Sequence, residues 1–190
     1  MNQEATWIEG LRRGEPEAFD RIYEQFRARL FSFLLRLTLR QDVAEDLLQE
    51  TFLRLASHAD RLRADSHLAA WLYTVARNLA MSYHRRCALD AERISELGRL
   101  GLEPNTSPFE TLASSELQLR VENALARLPA KYREALLLVG AEGFSPSEAA
   151  SICGIKAEAF RQRLSRARER LQQRLAKDSA RPSLLQEVPS

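Results

Sequence analysis

Cysteine is nearly absent: two in 190 residues, at Cys87 and Cys153, with no paired spacing. That excludes a disulfide framework or a zinc knuckle, and each thiol reads as a small reduced packing residue. No apolar run approaches the roughly 18 residues that a membrane span needs. The N-terminal MNQEATWIEG carries acids where a secretion signal carries Lys or Arg, and it has no apolar core. The expected location is therefore the cytoplasm, with no membrane insertion. His58, His67 and His84 lack metal-ligand spacing. No nucleophile sits with a base and no nucleotide-binding motif occurs, so neither an enzyme nor a cofactor is expected.

Strand signals are also scarce, and apolar residues recur at helical spacing almost throughout. The class read from this is all-α, and the length suits two small helical domains. A short helix is expected around Ala5–Leu11, and a second from Pro16 through Phe19, Ile22, Phe26, Leu30, Phe33 and Leu37. Asp42 reads as the cap of a third helix reaching about His58, and Ser66 as the cap of a fourth from His67 to about Arg86. Residues 88–111 are acidic and turn-prone, with Gly98, Gly101, Pro104 and Pro108, which marks a flexible linker, with some transient helix around Ala91–Leu97 allowed. Helices follow over Leu112–Leu128 and Lys131–Val139. Ser145-Pro146-Ser147-Glu148 is a capping box that starts another, ending at Gly154. A last helix spans about Ala157–Ala176. The organisation is a first domain at 1–87, the linker, a second domain at 112–177 and a disordered tail at 178–190.

The net charge of +2 hides an asymmetry between segments. On the third helix Asp42, Glu45, Asp46 and Gln49 fall at i, i+3, i+4 and i+7 and share a face. That face is a solvated one or a dock for a basic helix pair. The fourth helix has no acid from Leu68 to Arg86. Leu68, Leu72, Val75, Leu79 and Tyr83 form its apolar stripe, and Trp71 reads as core beside it. Tyr73, Arg77 and His84 make another face flanked by Asn78, Arg85 and Arg86, a mixture that suits stacking on bases and pairing with phosphates. The preceding loop, Arg63-Ala64-Asp65-Ser66, offers small polar groups that could hold an extruded base. On the last helix Phe160, Leu164, Ala167 and Leu171 form the buried stripe. Glu158, Arg161, Gln162, Ser165 and Arg166 point away, as in the second helix of a helix-turn-helix lying in the major groove. Arg163, Arg168, Arg170 and Arg174 would lie near phosphates or solvent. About six neutralised phosphates would give a log–log salt slope near −5.

Taken together, Gln49-Glu50-Thr51-Phe52, the run Trp71-Leu72-Tyr73-Thr74-Val75-Ala76-Arg77-Asn78, Leu128-Pro129 followed by Tyr132-Arg133-Glu134-Ala135, and Leu164-Ser165-Arg166-Ala167-Arg168-Glu169-Arg170-Leu171 resemble the extracytoplasmic-function sigma factors, the minimal group of the sigma-70 family. The resemblance spans about residues 10–176. It implies that Asp42, Glu45, Asp46, Gln49 and Glu50 grip the β′ clamp helices of core RNA polymerase. Arg63, Asp65, Ser66, Tyr73, Arg77, Asn78, His84, Arg85 and Arg86 would open and read the −10 element of a promoter. Glu158, Arg161, Gln162, Arg163, Ser165 and Arg166 would read the −35 element, and the second domain would touch the β flap. An anti-sigma factor is implied as a further partner. One departure stands out: where relatives commonly carry a Val-Gly-Thr-like turn, this chain has Lys156-Ala157-Glu158-Ala159. Two other readings remain at this stage. One is a sigma mimic that only sequesters an anti-sigma factor. The other is a repressor or activator using the helix-turn-helix alone.

Overall fold

A computed structural model describes residues 3–62, 67–96 and 115–179, and among these every regular element is helical. The first module contains α1 (Gln3–Arg12), α2 (Pro16–Thr38), α3 (Gln41–Ser57), a 3-10 turn (Ala59–Arg61) and α4 (Leu68–Glu96). The second contains α5 (Glu116–Ala126), α6 (Ala130–Leu136), a π turn (Leu137–Ala141), α7 (Pro146–Cys153) and α8 (Ala157–Ser179). Helix α4 continues to Glu96, into the stretch read as a linker. The rest of that stretch and the tail beyond Ser179 lie outside the described residues.

Helix α2 organises the first module because one of its faces is apolar at helical spacing. Ile22, Leu30, Phe33, Leu34 and Leu37 are fully buried, each worth about 1.5–3 kcal/mol on leaving water. Helices α1, α3 and α4 all pack against it. The close approach of α1 depends on Gly10, where a Cβ would meet the Ala18 Cβ at 2.8 Å. Helix α2 ends at Leu39, which takes the left-handed conformation (φ 63°) and donates its N–H to the Leu35 carbonyl at 2.8 Å. The acid expected to cap α3 lies inside that helix. Arg40 holds the cap position with no side-chain cap bond, and Asp42 in the first turn pairs with the Arg40 guanidinium. That hydrogen bond holds the Asp42 carboxyl below the usual carboxylate range.

Ser66 lies outside the described residues, but the start of α4 has another acceptor. The Glu4 carboxylate of α1 accepts from the Leu68 N–H at 3.1 Å, satisfying one of the orphan amides of the first turn. The stripe of α4 differs from the expectation. Leu68, Leu72, Tyr73, Ala76 and Ala80 are the buried positions, whereas Val75, Leu79 and Tyr83 are only partly covered. Two partners cover this helix at once: the α2–α3 bundle on one side and α7 of the second module on the other.

In the second module the capping box of α7 is formed in both directions. Glu148 N–H donates to Ser145 Oγ at 3.2 Å, and Ser145 N–H donates to the Glu148 carboxylate at 2.8 Å. Gly154 closes the helix at φ 65°, where a side chain would be strained. Phe160 and Ala167 of α8 are fully buried and Leu164 nearly so, as their spacing requires, whereas Leu171, expected in the same stripe, is only partly covered because it packs at the edge of the small cluster of Leu128, Tyr132 and Ala167. Most buried apolar side chains of the two modules, from Ile8 to Leu164, join in one continuous cluster, and Leu128, Tyr132 and Ala167 form a second, smaller one inside the second module.

Candidate polymerase and nucleic-acid interfaces

The acidic face of α3 is in place. Asp42, Glu45, Asp46 and Gln49 are exposed on one side, while Ala44, Leu47, Thr51, Phe52 and Leu55 are buried on the other. Glu50 is only partly exposed, and it accepts from Arg54 at 2.8 Å. Beside this face a groove of about 790 Å³ runs between α3 and α4, lined in part by Asp46, Glu50, Arg85, Arg86 and Leu89. Among the described residues, Leu53 and Leu89 are the large apolar side chains the first module leaves in solvent, and no periodicity argument singled them out.

The recognition face of α8 is also in place. Glu158, Arg161, Gln162, Ser165 and Arg166 are exposed, with Arg168 and Glu169 alongside. Arg163 is the exception. It is turned toward the interior, where NH1 donates to the fully buried Glu134 carboxylate at 3.3 Å. Arg170 lies over the Tyr132 ring at 4.9 Å from its centroid, and Lys131 lies 5.2 Å from the same centroid. Arg163 therefore fixes α8 to α6, because a carboxylate removed from water must keep a cation. A helical count alone could not place it, since α6 supplies the acid.

Helix α4 required the most correction. Tyr73 and Arg77 do not form an open face. Tyr73 is 1% exposed, its ring packed edge-on between Phe33 (5.2 Å) and Phe144 (5.1 Å). Its hydroxyl donates to the Glu142 carboxylate. Burial, and then that acid, push the Tyr73 hydroxyl far above the usual phenol range. Arg77 Nε donates to Glu134 at 2.5 Å. His84 Nε2 donates to the Leu37 carbonyl at 2.8 Å, at the C-terminal end of α2. Burial lowers its pKa, so the ring serves as a neutral donor to the last turn of α2 rather than as a cation for phosphate. Asn78, Arg85 and Arg86 remain exposed. Trp71 is partly buried, its ring 6.5 Å from that of His58. Arg63, Asp65 and Ser66 lie outside the described residues.

What meets α4 and α2 from the second module is a set of acids. Glu122 binds Arg36 at 2.7 Å. Glu142 binds Arg29 at 3.2 Å as well as Tyr73, and Glu134 binds Arg77. Arg133, whose pKa burial lowers to about 10, reaches back and donates to the Arg36 carbonyl at 3.1 Å.

The chain matches two family models in chain order, sigma-70 region 2 over residues 22–88 and sigma-70 region 4 over residues 118–171. It is 38% identical to the ECF RNA polymerase sigma factor EcfG of Rhodopseudomonas palustris, over 80% of this chain and 81% of that one. It is 34% identical to the ECF sigma factor SigM of Bacillus subtilis, over 80% and 91%. Among solved structures it aligns at a TM-score of 0.68 and 33% identity with the sigma factor RpoE of Bartonella quintana, in a complex with the anti-sigma factor NepR. That alignment covers 84% of this chain and 98% of that one.

Proposed function

We propose, from the premise that the chain belongs to the sigma-70 family as an extracytoplasmic-function sigma factor, how its described surfaces divide the work. The factor directs core RNA polymerase to specific promoters and starts transcription there. The family is not an enzyme class, and bond-making is left to the polymerase. Among the described residues no helix is long and apolar enough to cross a membrane. We place the factor in the cytoplasm, beside polymerase and promoter, and assign it an anti-sigma partner of the kind that holds its structural relative.

One observation carries the assignment of surfaces. A single chain exposes an acidic helix face on one module and an arginine-rich recognition face on the other. Asp42, Glu45, Asp46 and Gln49, with Glu50 at the edge, take the polymerase clamp, because exposed acids steer and orient docking on a basic helix pair. Arg161, Gln162, Ser165 and Arg166 take the −35 element, where arginine pairs with guanine and glutamine with adenine. Glu158 sits beside them at the start of α8 and selects against phosphate at that point. Asn78, Arg85 and Arg86, with Arg63, Asp65 and Ser66 of the preceding loop, take the −10 element. The β flap falls to the second module.

Run-off transcription tests this reading, using core polymerase and a promoter found by sequencing the DNA bound in cells. Initiation above core alone is expected. Initiation no better than core alone, with intact protein, would sink it.

A further inference from the structure

Helix α1 touches both ends of the loop that precedes α4. Upstream it packs on the 3-10 turn Ala59–Arg61, after which Leu62 is buried. Downstream its Glu4 carboxylate accepts from the Leu68 N–H at 3.1 Å. Residues 63–66 run between those two ends.

Glu4 is more than a surface acid. Its bond to Leu68 spans 64 positions of sequence, so it fixes one helix against another rather than steadying its own. The first turn of α4 holds no acid, and a helix start leaves amides without intrahelical partners. A carboxylate brought there from outside satisfies one of them and meets the positive end of the helix dipole. Helix α1 is itself held in place. Ile8 is fully buried and Leu11 nearly so, and Gly10 lies so close to α2 that a Cβ would stand 2.8 Å from the Ala18 Cβ. A fixed α1 therefore carries its carboxylate to a set position, and the start of α4 is held to it.

We propose that Glu4 is a positioning residue for −10 reading: through the Leu68 amide it holds the point where the loop at 63–66 joins α4, so that the loop meets an extruded base in one register. Glu4 acts through α4, not by contact with DNA. The proposal rests on the sigma-factor reading, which gives that loop to the −10 element.

Two substitutions and two measurements test it. Glu4→Ala removes the acceptor and leaves a strong helix former in α1. Glu4→Gln keeps an acceptor oxygen at the same reach. In amide exchange of the full chain, followed by NMR, protection at Leu68 is lost in Glu4→Ala and kept in Glu4→Gln, while the Ile22 and Leu30 amides are unchanged in both. Run-off transcription then compares a matched promoter with the same promoter carrying one changed −10 base pair. The ratio of the two initiation rates falls by about tenfold in Glu4→Ala, the order of discrimination that one base pair supplies, and stays at the wild-type value in Glu4→Gln. Loss of folded protein would lower both rates alike and leave the ratio unmoved, so the ratio separates positioning from stability. Unchanged protection at Leu68, an unchanged ratio in Glu4→Ala, or an equal fall in Glu4→Gln overturns the proposal. Protection lost as expected, in a chain whose wild type initiates no better than core alone, would count against the sigma-factor reading and leave the Glu4 anchor standing.

Discussion

At the scale of single residues, the structure turns two polar side chains into measurable stability terms. His84 is held neutral by burial, with Arg133 lowering its pKa further and Glu134 opposing. A histidine whose folded pKa lies below its ordinary 6.5 stabilises fully above that value. The contribution is lost as pH falls through the folded pKa, because the unfolded chain then binds more protons. Urea midpoints should therefore drop between neutral pH and about pH 5, and the drop should shrink in His84→Gln. An equal drop in both proteins would refute the assignment. Ser145 is the second case. Replacing it with alanine removes the acceptor for the Glu148 amide and should cost about 1 kcal/mol, read as a lowered urea midpoint with no change in slope.

At the scale of elements, α3 and α8 behave as separable tools. Asp46→Lys reverses one charge on the exposed face of α3 and should abolish co-purification with core polymerase while sparing the helical content. Retained co-purification would remove α3 from the clamp contact. On α8, Arg161→Ala or Arg166→Ala should weaken −35 binding by about 1–3 kcal/mol if each makes a base contact. Arg163→Ala should instead lower stability, because it strips the buried Glu134 of one of its cations. The salt dependence of −35 binding needs revision for the same reason. With Arg163 committed to Glu134 and Arg170 to the Tyr132 ring, about four free cations remain, and the log–log slope should be nearer −3.6 than −5. A titration of affinity against salt decides between them.

At the scale of the whole molecule, the two modules share a core. Phe144, from the loop before α7, packs on Tyr73 of α4 and belongs to the same buried cluster as Ile22 and Leu72. Shared burial couples unfolding, so urea should melt the chain in one cooperative transition. Phe144→Ala should cost about 3–5 kcal/mol and split that transition in two, as followed by circular dichroism and Trp fluorescence. A single transition of unchanged cooperativity in the variant would show that Phe144 does not couple the modules.

The sequence was enough for anything that depends on neighbours within one helix. The capping box at Ser145 and Glu148, the glycine stop at Gly154, the buried stripe of α8 and the exposed acids of α3 all follow from spacing, because side chains three and four apart share a face. Order and type of the helices follow for the same reason, as does the family, whose motifs lie in contiguous runs. Tertiary structure decided what depends on residues far apart in the chain. Tyr73 and Arg77 carry the local signature of a nucleic-acid face, but Glu134 and Glu142, more than fifty positions away, draw them into an interface. Leu68 receives its cap from Glu4 of the first helix. A buried charge is tolerated wherever its counter-charge arrives, and periodicity along one helix holds no information about which other helix will bring it.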